Sequence, residues 1–349
     1  MTSNIRLSSS DRISLLGNMS TLLASGIPIL DTVSSISEDS KGNLKIILEA
    51  LKEDLKQGKS IAMSFSRFPA AFDKVTVNLI KAAEGAGTLD TTLKDLRDYT
   101  QKEIEFMDKV KFALIYPTLI LILFTAVLLV ILVVVIPKIA LVFSRLKVTL
   151  PLPTRILIFF SNLLLHNTVW VAGGAVLVAA GIFLLYRYKR DTILGLVFSL
   201  PLISTLVRDI DFTRFSRSLY LLLGSGVPIT TALGLATDVI VHHQTAILFT
   251  QAREMVAAGN RFSEGMRKAK SSVPTIMIRL IEAGEKSGTL EKALADVANS
   301  LDYQVSNRLK AITTLIEPIL LIIVGISVGG MMMAIITPIY GLISQVGSR

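Results

Sequence analysis

The sequence predicts an all-α membrane protein with two duplicated cytoplasmic helical bundles, about six helices each, and three transmembrane helices. Three observations predict it. The composition is 51% hydrophobic and only 18% charged, with mean hydropathy +0.61, whereas ordinary soluble domains carry about 25% charged residues. Three stretches, 112–137, 156–186 and 318–348, hold no formal charge, and each exceeds the roughly 20 residues that cross hydrocarbon as a helix. Finally, the two halves of the 349-residue chain repeat each other.

The elements follow in order. Residues 1–10 form a short polar extension with no apolar run, so they are not a secretory signal and the first domain, 11–111, is expected in the cytoplasm. Ser10 or Asp11 can cap a helix through Ile13, Leu16, Met19, Leu22 and Leu23; Gly26 ends it and Pro28 opens the next. Gly58 closes a helix that begins near Gly42, and Pro69 breaks the one after it. At Gly87-Thr88-Leu89-Asp90 one helix stops and another starts: Gly87 tolerates a left-handed conformation, Thr88 caps, and Asp90 complements the new dipole. No Gly or Pro intervenes before Pro117, so this helix should run on through Leu93, Leu96, Tyr99 and Ile104 into a first span at 112–137.

Beyond that span, 138–167 reads as an extracytoplasmic connection with an interfacial segment, since Asn162, His166 and Asn167 are costly in hydrocarbon. A second span at 168–186 leads to the second cytoplasmic domain, 187–311, and a third span, 315–343, leads to an extracytoplasmic tail, 344–349. Gly325, Gly329 and Gly330 would let another helix approach the third span closely. Lys109, Lys111, Arg187, Lys189, Arg190, Arg308 and Lys310 flank the expected cytoplasmic ends. Lys138, Arg145, Lys147 and Arg155 oppose that rule; the orientation rests on the highly charged, signal-free stretch before the first span.

The duplication is read residue by residue. Leu22-Leu23-Ala24-Ser25-Gly26-Ile27-Pro28-Ile29 recurs as Leu222-Leu223-Gly224-Ser225-Gly226-Val227-Pro228-Ile229, 200 residues later. The segment Leu79 to Asp90 recurs as Leu280 to Glu291, and Pro117 and Pro137 as Pro318 and Pro338, all 201 residues later. The middle span has no counterpart and acts as the return crossing that puts both copies on one side.

Chemistry is sparse. The net charge of +9 sits beside the apolar segments, residues 1–111 carrying 15 basic and 15 acidic residues, and with seven Tyr and one Trp there is no aromatic-basic interleaving. Nucleic acid is therefore not an expected partner. No cysteine is present, which excludes disulfides and thiolate sites. Gly58-Lys59-Ser60 imitates the end of a phosphate loop, but Glu53 stands where that loop needs a glycine. His166, His242 and His243 fit no metal pattern and read as solvated, and no nucleophile motif or paired acid lies in a span. Catalytic residues, cofactor and metal are all expected to be absent. Glu317 reads as snorkelling at the membrane edge, with an ion or proton role as the alternative. Glu84 and Glu285 each lie three residues before a helix-ending glycine, where a carboxylate opposes the dipole; they bind a basic group on a neighbouring helix or on a partner, or form an internal salt bridge.

Ser25-Gly26-Ile27-Pro28 and Ser225-Gly226-Val227-Pro228, with Glu84-x-x-Gly87-Thr88-Leu89 and Glu285-x-x-Gly288-Thr289-Leu290, resemble the type II secretion F and type IV pilus PilC family of inner-membrane platform proteins. The resemblance runs from about Asp11 to Ile343; the copies differ at Ala83/Gly284 and Ala86/Ser287. It implies a non-enzymatic platform that engages a hexameric assembly ATPase, prepilin-like subunits and other inner-membrane machine components, and self-associates in the bilayer. Gly26, Pro28, Glu84, Gly87, Leu89, Gly226, Pro228, Glu285, Gly288 and Leu290 become candidate partner-contact positions. A membrane scaffold or receptor of another complex is the alternative; a secondary transporter would need broken helices near the midplane, which the spans lack.

Overall fold

The computed structural model describes residues 5–145, 152–166, 201–268 and 273–346, all helix and connecting turns, with no strand among them. The first series comprises α1 (Ser9–Ala24), α2 (Ile29–Asp39), α3 (Gly42–Lys56), α4 (Ile61–Ser66), α5 (Lys74–Ala86) and α6 (Leu89–Val130). A π-helical turn, Ile131–Val135, joins α6 to α7 (Ile136–Arg145), and α8 (Leu152–His166) follows. The second series comprises α9 (Pro201–Gly224), α10 (Ile229–Thr237), α11 (His243–Ala257), α12 (Phe262–Lys268), α13 (Thr275–Ser287) and α14 (Leu290–Val346). The expected second span, 168–186, lies outside the described residues.

The chain forms two compact units, Met1–Lys109 with Leu202–Asn307, and Val110–Pro201 with Arg308–Arg349. Both copies contribute to the first of these units. Its core joins Leu15, Met19, Phe65 and Phe68 from the first copy to Phe215, Phe249, Phe262 and Leu294 from the second. Apolar residues at helical spacing explain that core. One boundary differs: Ser8, not Ser10 or Asp11, caps α1, its Oγ accepting the Asp11 N–H at 3.1 Å. Leu7 is buried, which brings the chain's turn to Ser8.

Two helices are long and apolar enough to cross a membrane, over Leu89–Val142 and Leu290–Met333, and it is their apolar portions that lie in the other unit. Their side chains are uncovered: Phe112 is 67% exposed, Leu123 65% and Ile326 72%. Water would penalise such a surface at about 25 cal/mol per Å², whereas lipid solvates it. Pro117 sits inside α6 without ending it, as membrane helices allow. α8 packs on the π turn, where the Ser161 hydroxyl donates to the Leu132 carbonyl at 2.6 Å; a π turn is a place where the helical ladder leaves carbonyls to other donors. A Cβ built on Gly325, Gly329 or Gly330 meets nothing within 4 Å, so no described helix uses the close approach expected there.

Candidate functional site

The repeated motifs build two corners in each copy. At the first, α1 ends as Gly26 N–H reaches the Leu23 carbonyl at 2.9 Å and Ile27 N–H the Leu22 carbonyl at 3.1 Å. This pair of bonds needs a left-handed residue, and Gly26 has φ +81. Pro28 then opens α2 as its N-cap, its carbonyl accepting Thr32 N–H at 2.9 Å. Gly226 (φ +77) and Pro228 repeat the geometry between α9 and α10, with Val227 N–H on Leu222 O at 3.0 Å.

At the second corner Gly87 (φ +71) and Gly288 (φ +72) end α5 and α13, and Leu89 and Leu290 pack half-buried on the core. Between them the glutamates find a use that neither expected reading names. Glu84 takes the N–H groups of Ile61 and Ala62, at 2.5 and 3.1 Å, one on each carboxylate oxygen. Glu285 takes those of Phe262 and Ser263, at 2.6 and 3.0 Å. Each side chain therefore caps the first turn of the preceding short helix, α4 or α12. The first N–H groups of a helix have no partner inside it, and the helix's positive end attracts a carboxylate. What opposes the dipole of its own helix complements that of the neighbour.

Two further devices were invisible to motif reading. Asp211, buried on α9, accepts Val241 N–H at 3.0 Å and His242 N–H at 2.8 Å. Burial pushes its carboxyl above the usual range, and the two amides only partly offset this. His242, expected to be a solvated residue, is the N-cap of α11, its Nδ1 accepting Thr245 N–H at 3.4 Å. Burial holds its imidazole below the usual range, despite Asp211 nearby, which keeps it able to accept.

Between the copies runs an ionic seam. Arg217, with a side chain only 8% exposed, meets Glu103 Oε2 at 3.4 Å and Asp302 Oδ2 at 3.2 Å, while its guanidinium stands 5.4 Å from the Phe106 ring centre. Arg214 Nε adds a 2.5 Å contact to Glu103, and Lys109 a 3.2 Å contact to Asp302. Tyr99 and Ser218 share a hydrogen bond at 2.9 Å. Beside the seam a groove of about 430 Å³ is lined by Asp95, Asp98, Lys102, Tyr220 and Glu291. Among the described residues no His, Asp or Glu group is arranged to hold a metal ion.

Against known proteins, the family described as type II secretion system (T2SS), protein F, matches the chain twice, over residues 15–137 and 215–338. The chain belongs to this family. It is 32% identical over 330 residues to a type 4 fimbrial assembly protein PilC of Pseudomonas putida, covering 93% of this chain and 82% of that one. It is 30% identical to the type II secretion system protein F of Pseudomonas aeruginosa, covering 98% and 85%. With the type IV pilus assembly protein PilC of the same species it shares 28% identity, covering 94% and 89%. Each family match opens in a first helix of a series and closes in apolar sequence, at Pro137 and Pro338.

Within this family member, the predicted positions collect at corners and do not converge on one pocket. The seam residues were missed because the duplication hides them: the first-copy counterpart of Arg217 is Gly17. A signal was present. Arg214 and Arg217 lie one turn apart in a helix otherwise carrying Phe212, Phe215, Leu219 and Leu222, and two cations in such a stripe require partners.

Proposed function

We propose that this protein is the inner-membrane platform of a fibre-building machine, a type IV pilus or a type II secretion pseudopilus. In this reading the chain crosses the membrane three times, its N-terminus cytoplasmic and its C-terminus extracytoplasmic, with both six-helix copies on the cytoplasmic side. A hexameric assembly ATPase engages the copies, prepilin-like subunits pass from the bilayer into the fibre, and further copies of the chain and other inner-membrane components complete the assembly. The carrying observation is the double family match falling on two helical series, each of which continues unbroken into a long apolar helix. In this reading the motion is imposed on the copies by the ATPase. Energy enters through that partner.

The test is purification of tagged full-length protein from its membrane. Co-purification of an assembly ATPase and prepilins is expected. ATP hydrolysis by the isolated chain, or recovery with an unrelated complex lacking both, would overturn the assignment.

A further inference from the structure

Apart from the ionic seam, the copies also meet through a further pair of helices. α5 of the first packs on α10 of the second, with Lys74 Nζ 2.7 Å from Asp238 Oδ2 and a cleft of about 460 Å³ between Val75, Val77, Leu235 and Val239. A two-fold arrangement would also pack α13 on α2, the counterparts of α5 and α10, and among the described residues no packing of that extent joins them. The contact is therefore head-to-tail, which leaves one unused copy of each surface at opposite ends.

Those unused surfaces are complementary. The counterparts of Leu235, Asp238 and Val239 on α2 are Ser35, Glu38 and Asp39, all exposed, and Asp31 is exposed on the same helix. The counterparts of Lys74, Val75 and Asn78 on α13 are Thr275, Ile276 and Arg279, also exposed, with Arg267 as the counterpart of Ser66 beside them. One end presents acids; the other presents Arg279, with Arg267 and Lys286 already sharing Glu282 on α13, which keeps the sign pattern of Asp238 and Lys74 in the internal contact. Ile276 also stands 38% exposed where Val75, which lines the cleft shared with the second copy, is 1% exposed. An apolar side chain uncovered at the matching place, with opposite charge at the other end, fits a further copy of the same fold.

We propose that a second copy of this chain docks head-to-tail, α2 of one molecule on α12–α13 of the next, extending the internal α5–α10 contact from chain to chain. Opposite charges would fix its direction and register. The proposal deepens the platform reading and rests on it for the need to self-associate, but its test is read on the purified chain alone, so its failure leaves ATPase engagement untouched.

The experiment follows sedimentation of the full-length protein in detergent and cross-linking of single-cysteine chains, which the cysteine-free sequence permits. E38R/D39R and R279E should each weaken self-association several-fold, and the chain carrying all three changes should recover it. Oxidation of a mixture of S35C and I276C chains should yield mixed dimers, with few from either alone. Undiminished association of the reversed chains, no recovery in the triple variant, or S35C chains linking to one another as well as to I276C chains would overturn the proposal.

Discussion

In the first copy a buried carboxylate organises the α3–α4 corner. Asp54 holds Lys59 at 2.8 Å, the Ser64 hydroxyl at 2.8 Å and Arg67 at 2.5 Å. The second copy has Met255, Asn260, Gly265 and Lys268 at those places. Its interior is aromatic instead: Phe215 stacks on Phe249 at 3.6 Å, and Phe212 meets Phe249 edge-on at 5.8 Å. Their counterparts are Leu15, Leu48 and Arg12, while the first copy's own stack, Phe65 on Phe72, becomes Met266 and Val273. The glycine corners and glutamate caps nevertheless coincide almost bond for bond. Core volume can be redistributed if total filling is kept. A backbone N–H at a helix start must have its own acceptor, whatever fills the core.

The largest break in this comparison should come at the seam, where the copies differ outright. Replacing Arg217 with Gly, the residue of the first copy, leaves Glu103 and Asp302 half-buried with one fewer cation, a loss of about 3 kcal/mol. Denaturant unfolding in detergent checks it; an unchanged midpoint would mean that Arg214 and Lys109 suffice. Glu285→Ala should follow closely, since it strands two amides at about 1.5 kcal/mol or more apiece. Glu84→Ala should cost less, because Ser60 Oγ still caps Met63 N–H at 3.1 Å in the first copy. Hydrogen exchange over α4 and α12 separates the two; equal protection in both variants would remove the asymmetry.

A sharper test concerns one methyl group. Gly284 packs so closely that an added Cβ would lie 2.5 Å from Ala293 Cβ and 3.1 Å from Leu290 Cα. In the first copy the same place holds Ala83, only 3% exposed, and Thr92 stands at the counterpart of Ala293. Gly284→Ala should therefore cost about 2 kcal/mol by overpacking, whereas Ala83→Gly should cost about 1 kcal/mol through helix propensity. Thermal unfolding of the pair reads both, and a neutral Gly284→Ala would show that α13 and α14 can separate.

These differences also mark what the sequence could disclose. Helical spacing and the glycines located most helix ends, and the absence of Gly or Pro between Leu89 and Pro117 foretold a continuous α6. The glutamate caps were not legible, because their acceptor and donors are 22 and 23 residues apart and the donors are backbone amides, which every residue has. Asp211 and His242 escaped for the same reason. The joining of both copies into one compact unit was hidden by the duplication itself, which draws attention to what the copies share, while the seam is made of what they do not. The π turn at Ile131–Val135 lies in a run of Ile, Leu and Val that carries no local signal.

Acid should pull the copies apart in a smaller way. Burial alone would raise the Asp54 carboxyl, but hydrogen bonds from Lys59, Ser64 and Arg67 outweigh it and hold it down to about 2, from 3.8. A carboxyl depressed in the fold stabilises above its unfolded value and loses that contribution as pH falls from 3.8 to about 2. Asp211 is shifted upward, first by burial. Its ionised form is resisted by the fold, so protonation on descending from neutral pH toward 3.8 favours folding. Protection factors for α3–α4 should fall as pH drops below 3.8, while those for α9–α11 should rise as pH drops from neutral toward 3.8. Parallel profiles would mean that neither carboxyl is shifted.

The smallest effect belongs to the other contact between the copies. Lys74 and Asp238 are 73% and 46% exposed along their side chains, and solvent pairs of this kind contribute little to stability and are screened by salt. Lys74→Ala should leave the unfolding midpoint where it is, at low and at high ionic strength, in contrast to Arg217→Gly. Only the docking direction should respond: with the α5–α10 pair gone, cross-linking of a V77C/L235C chain should become slower and salt-independent while its stability stays constant. A measurable loss of stability in Lys74→Ala would show that this exposed pair, and not the buried seam, holds the two copies in one unit.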